Sequence, residues 1–169
     1  MIQGQSAGAI QALLDEYTKA IDELIVVIQP LTSAQLCTVL DPDASNPDTR
    51  SIQTILTHIC ASIFSYAVYI ENDLGFDTVR PARRSFNHID GFCLYLNEGL
   101  AYTKQVFIRH PELDLEELNP AKKILSNWGQ QYDVEQMMEH AIVHILRHRR
   151  QISKLIEKQN WYKRTTASG

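Results

Sequence analysis

The sequence predicts an all-α protein, a four-helix bundle with long connections, folded as one domain over residues 1–169. Three observations carry this expectation. Apolar residues recur at helical spacing in four stretches, 6–29, 51–71, 86–110 and 133–158. The segments joining the first to the second and the third to the fourth are long. The chain of 169 residues is 44% hydrophobic, enough for one sizeable core, and shows no internal repeat, low-complexity tract or domain boundary.

In the first stretch Ile10, Leu13, Leu14, Tyr17, Ile21, Leu24, Ile25 and Ile28 form one stripe, and Pro30, which has no amide hydrogen to donate, stops it. Residues 32–37 suit one further short turn, and DPDASNPDT, 41–49, is loop by composition. The second stretch, SIQTILTHICASIFSYAVYIE, is apolar nearly all round and is therefore expected to be buried. Residues 72–85 read as a loop carrying Arg80, Arg83 and Arg84, either a solvated cluster or one that steers an anionic substrate. The third stretch turns Phe92, Tyr95, Leu96, Gly99, Tyr102 and Val106 inward and ends before Pro111. His88 and His110 stand at its two ends, where no role is expected of them. Residues 111–132 read as a connector of unusual length. The fourth stretch opens on Asp133 with Gln136 three residues later, a capping-box pair. The tail after Lys158 is polar and is expected to fray.

The histidines are the chemically informative residues. His140, His144 and His148 follow one another at intervals of four in the last helix. At about 100° per residue, Ala141, Ile145 and Ile152 fall within roughly 60° of His148, His144 lies about 40° away and His140 about 80° away. His148 thus sits in the middle of the buried stripe and His140 at its edge. Two imidazoles one turn apart can converge on one cation; alternatively each is a hydrogen-bonded histidine on a half-buried face. His58 is the one strongly polar side chain of the second helix, and its own side of that helix is small and hydroxylated: Thr54, Ala61, Ser62 and Ser65, with Tyr69 within about 20°. Leu56, Ile63 and Ile70 lie opposite. Small residues around a histidine leave space for a cavity; the other reading is a hydrogen bond to a neighbouring helix.

His58, His144 and His148 would supply three neutral nitrogen ligands and leave a position open, the pattern of a catalytic zinc site. Zinc or nickel suits imidazole. HExxH is absent, since Ala141 and Ile145 follow His140 and His144, and Glu139 points to the opposite face. His140 is expected at the pocket rim, beside Thr54, Ser62, Ser65 and Tyr69.

NWGQQYDVEQMMEHAIVHILRHRRQI resembles the final-helix signature of the DinB/YfiT-like proteins. Trp128-Gly129 matches that family's turn, His144 and His148 its H-x-x-x-H pair, Arg149 and Gln151 the residues behind the pair, and His58 in ILTHICASIF its second-helix histidine. Arg150 stands where the family commonly has glycine. The resemblance implies a four-helix bundle, a divalent metal on His58, His144 and His148, and Gln151 as a supporting neighbour. Its members include thiol-dependent S-transferases, maleylpyruvate isomerases and hydrolases. The expectation is an enzyme that activates a small thiol or water at a metal; the alternative is a non-catalytic helical module with an empty or ligand-binding pocket.

Other expectations follow from composition. A net charge of −4, with no basic stripe interleaved with aromatics, argues against nucleic acid as a partner. The N-terminus lacks the pattern of a signal peptide, and no unbroken apolar run approaches the roughly 20 residues of a membrane span. Cys37, Cys60 and Cys93, odd in number and far apart, suit reduced thiols in a cytoplasm. Ile142, Val143 and Leu146 lie away from the histidine face and predict a homodimer contact, unless the connector or the N-terminal segment covers them.

Overall fold

The structure, a computed structural model, describes residues 3–162, with side chains from residue 8 onward. It is mostly helical. The helices are α1 (Gln3–Ile28), α2 (Ser33–Cys37), α3 (Ile52–Asp73), α4 (Ile89–Arg109) and α5 (Val134–Lys158). The long helices α1, α3, α4 and α5 lie where the apolar periodicity predicts helix. α1 packs against α4 and α5, and α3 packs against the same two. Between them lie Tyr17, Ile21 and Leu24 of α1, Leu56, Ile59 and Ile63 of α3, Phe92 and Leu96 of α4, and Met137, Ala141 and Ile145 of α5, all without solvent exposure. Removing this apolar surface from water is the main force holding the helices together.

Local chemistry explains the boundaries. Thr32 and Gln35 form a reciprocal capping box for α2, and Leu36 anchors that short helix in the core. Ser51 caps α3 by accepting from the Thr54 amide, while the Thr54 hydroxyl accepts from the Ser51 amide. α4 begins three residues later than the predicted 86. His88 takes the cap position, where its Nδ1 accepts from the Gly91 amide at 3.1 Å. Phe86 stays outside the helix because its carbonyl accepts from Gln53 and its ring packs on Phe92 and Tyr95. Gly99 lets α3 and α4 approach closely, since a Cβ there would stand 2.7 Å from the Ile63 methyl.

α3 has the length and composition of a membrane span although no run of it is uninterruptedly apolar. In the protein 56% of that span is buried, and Leu56, Ile63 and Ile70, opposite His58, are wholly so.

The connector, read as long, has structure of its own. Asn119 caps a 3-10 turn, Pro120–Lys122, and a two-stranded antiparallel hairpin pairs β1 (Ile124–Leu125) with β2 (Gln131–Tyr132). Gly129, at φ +84°, closes the hairpin in a conformation that favours glycine. Leu113, Leu115 and Ile124 are buried, which pins the segment down. α5 begins with the expected box: the Gln136 amide donates to Asp133 Oδ1 at 2.8 Å, and Gln136 Oε1 accepts from the Asp133 amide at 3.1 Å. Beyond α5, the Tyr162 hydroxyl donates to the Val27 carbonyl; residues 163–169 of the predicted fraying tail lie outside the described residues. All three cysteines are free thiols.

Candidate metal centre

α3 and α5 pack side by side, and this contact brings His58 against His144 and His148. One candidate ligand atom from each lies within 4.8 Å of the other two. The His58 and His144 Nε2 atoms are 3.0 Å apart, and the ring centroids are separated by 5.0 Å (58 to 144), 5.1 Å (58 to 148) and 4.5 Å (144 to 148). Two nitrogens on one tetrahedral ion at about 2.0–2.1 Å each would stand about 3.3 Å apart.

The outer nitrogens decide how the rings are protonated. Asp48 Oδ2 lies 3.2 Å from His58 Nδ1, and a carboxylate can only accept, so that nitrogen carries the hydrogen. Gln151 Oε1 accepts from His148 Nδ1 at 2.9 Å. The Nε2 atoms of His58 and His148 are therefore bare lone pairs. His144 Nε2 can offer one hydrogen at most, and its buried Nδ1 has no partner among the described residues. The three imidazoles fit a divalent ion in donor type, and the outer bonds of His58 and His148 set the tautomer that leaves Nε2 free for it.

Electrostatics keep the lone pairs available. Burial, then the neighbouring His148, His58 and His140 and the Arg147 charge, push His144 down to about 3. His58 is lowered by burial and by His148, against the opposing pull of Asp48. His148 is lowered mainly by burial, against its bond to Gln151. All three are neutral at pH 7, the state that binds metal.

Two cavities open on the cluster. One, of about 370 Å³, is walled by Tyr66, Tyr69 and Trp128 and reaches His58, His144 and His140. Ser62 and Ser65 line it too, their hydroxyls donating to the His58 and Ala61 carbonyls. The Tyr69 hydroxyl accepts from the Asn127 amide at 2.9 Å, tying the hairpin turn to α3. His140 stands at the rim, stacked on Trp128 at 5.3 Å, with its Nδ1 3.3 Å from the Tyr132 hydroxyl. Thr54 is not among the residues of either cavity. Its hydroxyl is engaged in the α3 cap, one turn before His58, because the free amides of a helix start compete for it.

Two contributors, Asp48 and Tyr66, escaped the sequence reading, and Arg83 takes a partner it did not foresee. Asp48 lies in the segment read as plain loop, where Asn46 caps a 3-10 turn, Pro47–Thr49, and holds the carboxylate toward His58. Arg83, from the basic loop, donates to Asp48 Oδ1 at 2.7 Å. Its neighbour Arg84 instead covers the Tyr95 ring at 5.2 Å. Tyr66 is buried and turns its ring edge-on to His140 and His144. The usable signal for Asp48 was an Asn-Pro-Asp turn directly ahead of the helix that carries the lone histidine. Set against known proteins, the chain matches no family model and no curated protein sequence.

Proposed function

We propose that this chain is a metal-dependent enzyme of the DinB/YfiT-like four-helix-bundle type, holding zinc or nickel on His58, His144 and His148. The observation that carries this reading is the pair of outer hydrogen bonds, from His58 to Asp48 and from His148 to Gln151, which leave a bare Nε2 lone pair on each of two rings that cluster with His144. A divalent ion at that point supplies Lewis acidity, lowering the pKa of a small thiol or water delivered to it.

The surrounding residues favour thiol transfer over hydrolysis. No carboxylate lines either cavity among the described residues. Asp48, the nearest, is held by His58 and Arg83 and is not free to take a proton from water. Burial raises the Tyr66 hydroxyl well above its ordinary value, so it is no base at neutral pH. A thiol acidified at the site needs no such base. The aromatic cavity suits the apolar part of an electrophilic acceptor. The test is elemental analysis of untagged protein, followed by thiol consumption with an electrophile. The reading requires a divalent ion near one per chain and thiol loss that stops on chelation; a chain that takes up neither zinc nor nickel would be a binding module instead.

Assembly belongs to the same reading. Of the predicted patch, Ile142 packs partly against the core, while Val143 and Leu146 remain 60% and 37% exposed on α5, covered by neither the connector nor the N-terminal segment among the described residues. A homodimer related by two-fold symmetry would bury this patch. Light scattering is expected to give twice the chain mass, and Leu146→Glu to halve it. A monomer at micromolar concentration removes the dimer.

A further inference from the structure

The second cavity on the histidine cluster differs in kind from the aromatic one. It measures about 680 Å³ and shares His58 and His144 with it, but its α5 wall carries Arg147, Arg150 and Lys154. On the helical wheel these three lie within about 60° of one another, Arg147 nearest the histidine stripe and Arg150 toward the Val143 and Leu146 face. The remaining lining is uncharged, including Asn46, Thr49 and Gln151. None of the three cations forms an ion pair among the described residues, although four other arginine side chains do. The chain as a whole is net negative, at −4, so this concentration of positive charge is local. Like charges gathered around one concavity repel, and an anion entering it relieves that repulsion without displacing an existing partner. Two unlike cavities meeting at two shared histidines also suit two reactants better than one reactant and water.

We propose that the Arg147, Arg150 and Lys154 cavity binds the anionic group, carboxylate or phosphate, of a small substrate whose opposite end reaches the histidine cluster. Its link to the metal rests on the function proposed above. Arg147, one residue before His148, positions the anion nearest the histidines; Arg150 and Lys154, farther along α5, draw it in.

The experiment has two arms. In the first, metal-free ¹⁵N-labelled protein is titrated with succinate, with inorganic phosphate and with neutral 1,4-butanediol at constant pH, reading the histidine side-chain resonances. One of the anions should move the His144 and His148 signals saturably and the diol should not. The tighter of the two identifies carboxylate or phosphate chemistry. Substituting all three exposed cations with glutamine should weaken binding at least tenfold, and sodium chloride should weaken it in the wild type. Absence of a saturable shift, or equal binding by the triple variant, overturns the proposal. In the second arm cobalt(II), a visible stand-in for the metal, is added, and 3-mercaptopropionate is compared with 2-mercaptoethanol through the sulfur-to-metal absorption band. The charged thiol should bind at least tenfold tighter in the wild type and equally in the triple variant. If cobalt is taken up and both thiols bind alike in the wild type, the anion cavity is refuted and the metal site stands. If cobalt is not taken up while anion binding still depends on the three cations, the metal site fails and the anion cavity stands.

Discussion

Replacing His58, His144 or His148 singly with alanine is expected to strip the divalent ion from the protein while leaving its helix content near wild type. Structural zinc sites contribute roughly 10–16 kcal/mol over four ligands, so each ligand accounts for about 2.5–4 kcal/mol, on the order of 10²–10³ in affinity. The fold should survive because α5 buries Met137, Ala141, Ile145 and Ile152 whether or not a metal is present. Added zinc or nickel should raise the melting temperature of the wild type and of none of the three variants, since metal binds the folded state alone. Two further substitutions grade the effect. Asp48→Asn loses the carboxylate that orients His58 and should weaken metal by about 10- to 100-fold. His140→Ala removes only a rim ring stacked on Trp128 and should keep wild-type metal content. Metal content by elemental analysis and circular dichroism read the series. Three alanine variants with wild-type metal would remove the triad, and loss of metal in His140→Ala alone would move the site one turn along α5.

Acid should weaken the metal-free protein in a window set by the same histidines. An unfolded histidine titrates near 6.5, and burial with its charged neighbours holds folded His144 at about 3. Above pH 6.5 the ring is neutral in both states and its contribution is fully present. As pH falls below 6.5 the unfolded chain takes up a proton that the folded one refuses, so stability drops and goes on dropping until about pH 3. For His144, which is partly open to water, the loss at pH 5 relative to pH 8 should be about 1–2 kcal/mol. His58 and His148 are lowered too, so they act in the same direction. Urea denaturation at pH 8, 6.5 and 5 reads the slope. His144→Gln, which cannot titrate, should flatten it; an unchanged slope in that variant would mean that other groups carry the acid sensitivity. Bound metal should survive to lower pH than a free imidazole site would permit, because protons compete poorly for rings whose charged form is already disfavoured.

The helices were legible because their signals are local. The stripe in α1, the proline after it, and the Asp133 and Gln136 box all act within a turn or two of chain, where spacing alone decides what can meet. The pairing of His144 with His148 was legible for the same reason, since four residues is one turn. The start of α4 was misread because Phe86 is apolar and stands only three residues ahead of the helix. Its carbonyl and ring are held by Gln53, Phe92 and Tyr95, and a pattern of apolar residues does not record contacts outside the helix. The hairpin in the connector was missed because two-residue strands are too short for any alternation to register.

By itself, then, the sequence determined which segments are helical, which faces of them are apolar, and that His58 sits among small hydroxylated neighbours while His144 and His148 share a face. Those are consequences of backbone period and side-chain size. Only the tertiary structure decided that Asp48 takes the outer hydrogen of His58, that Arg83 takes the other oxygen of Asp48, and that one cavity is aromatic and the other cationic. The reason is physical. A hydrogen bond is made between atoms some 3 Å apart, and the distance between residues ten or more positions apart in the chain is set by how whole helices pack, not by the residues themselves.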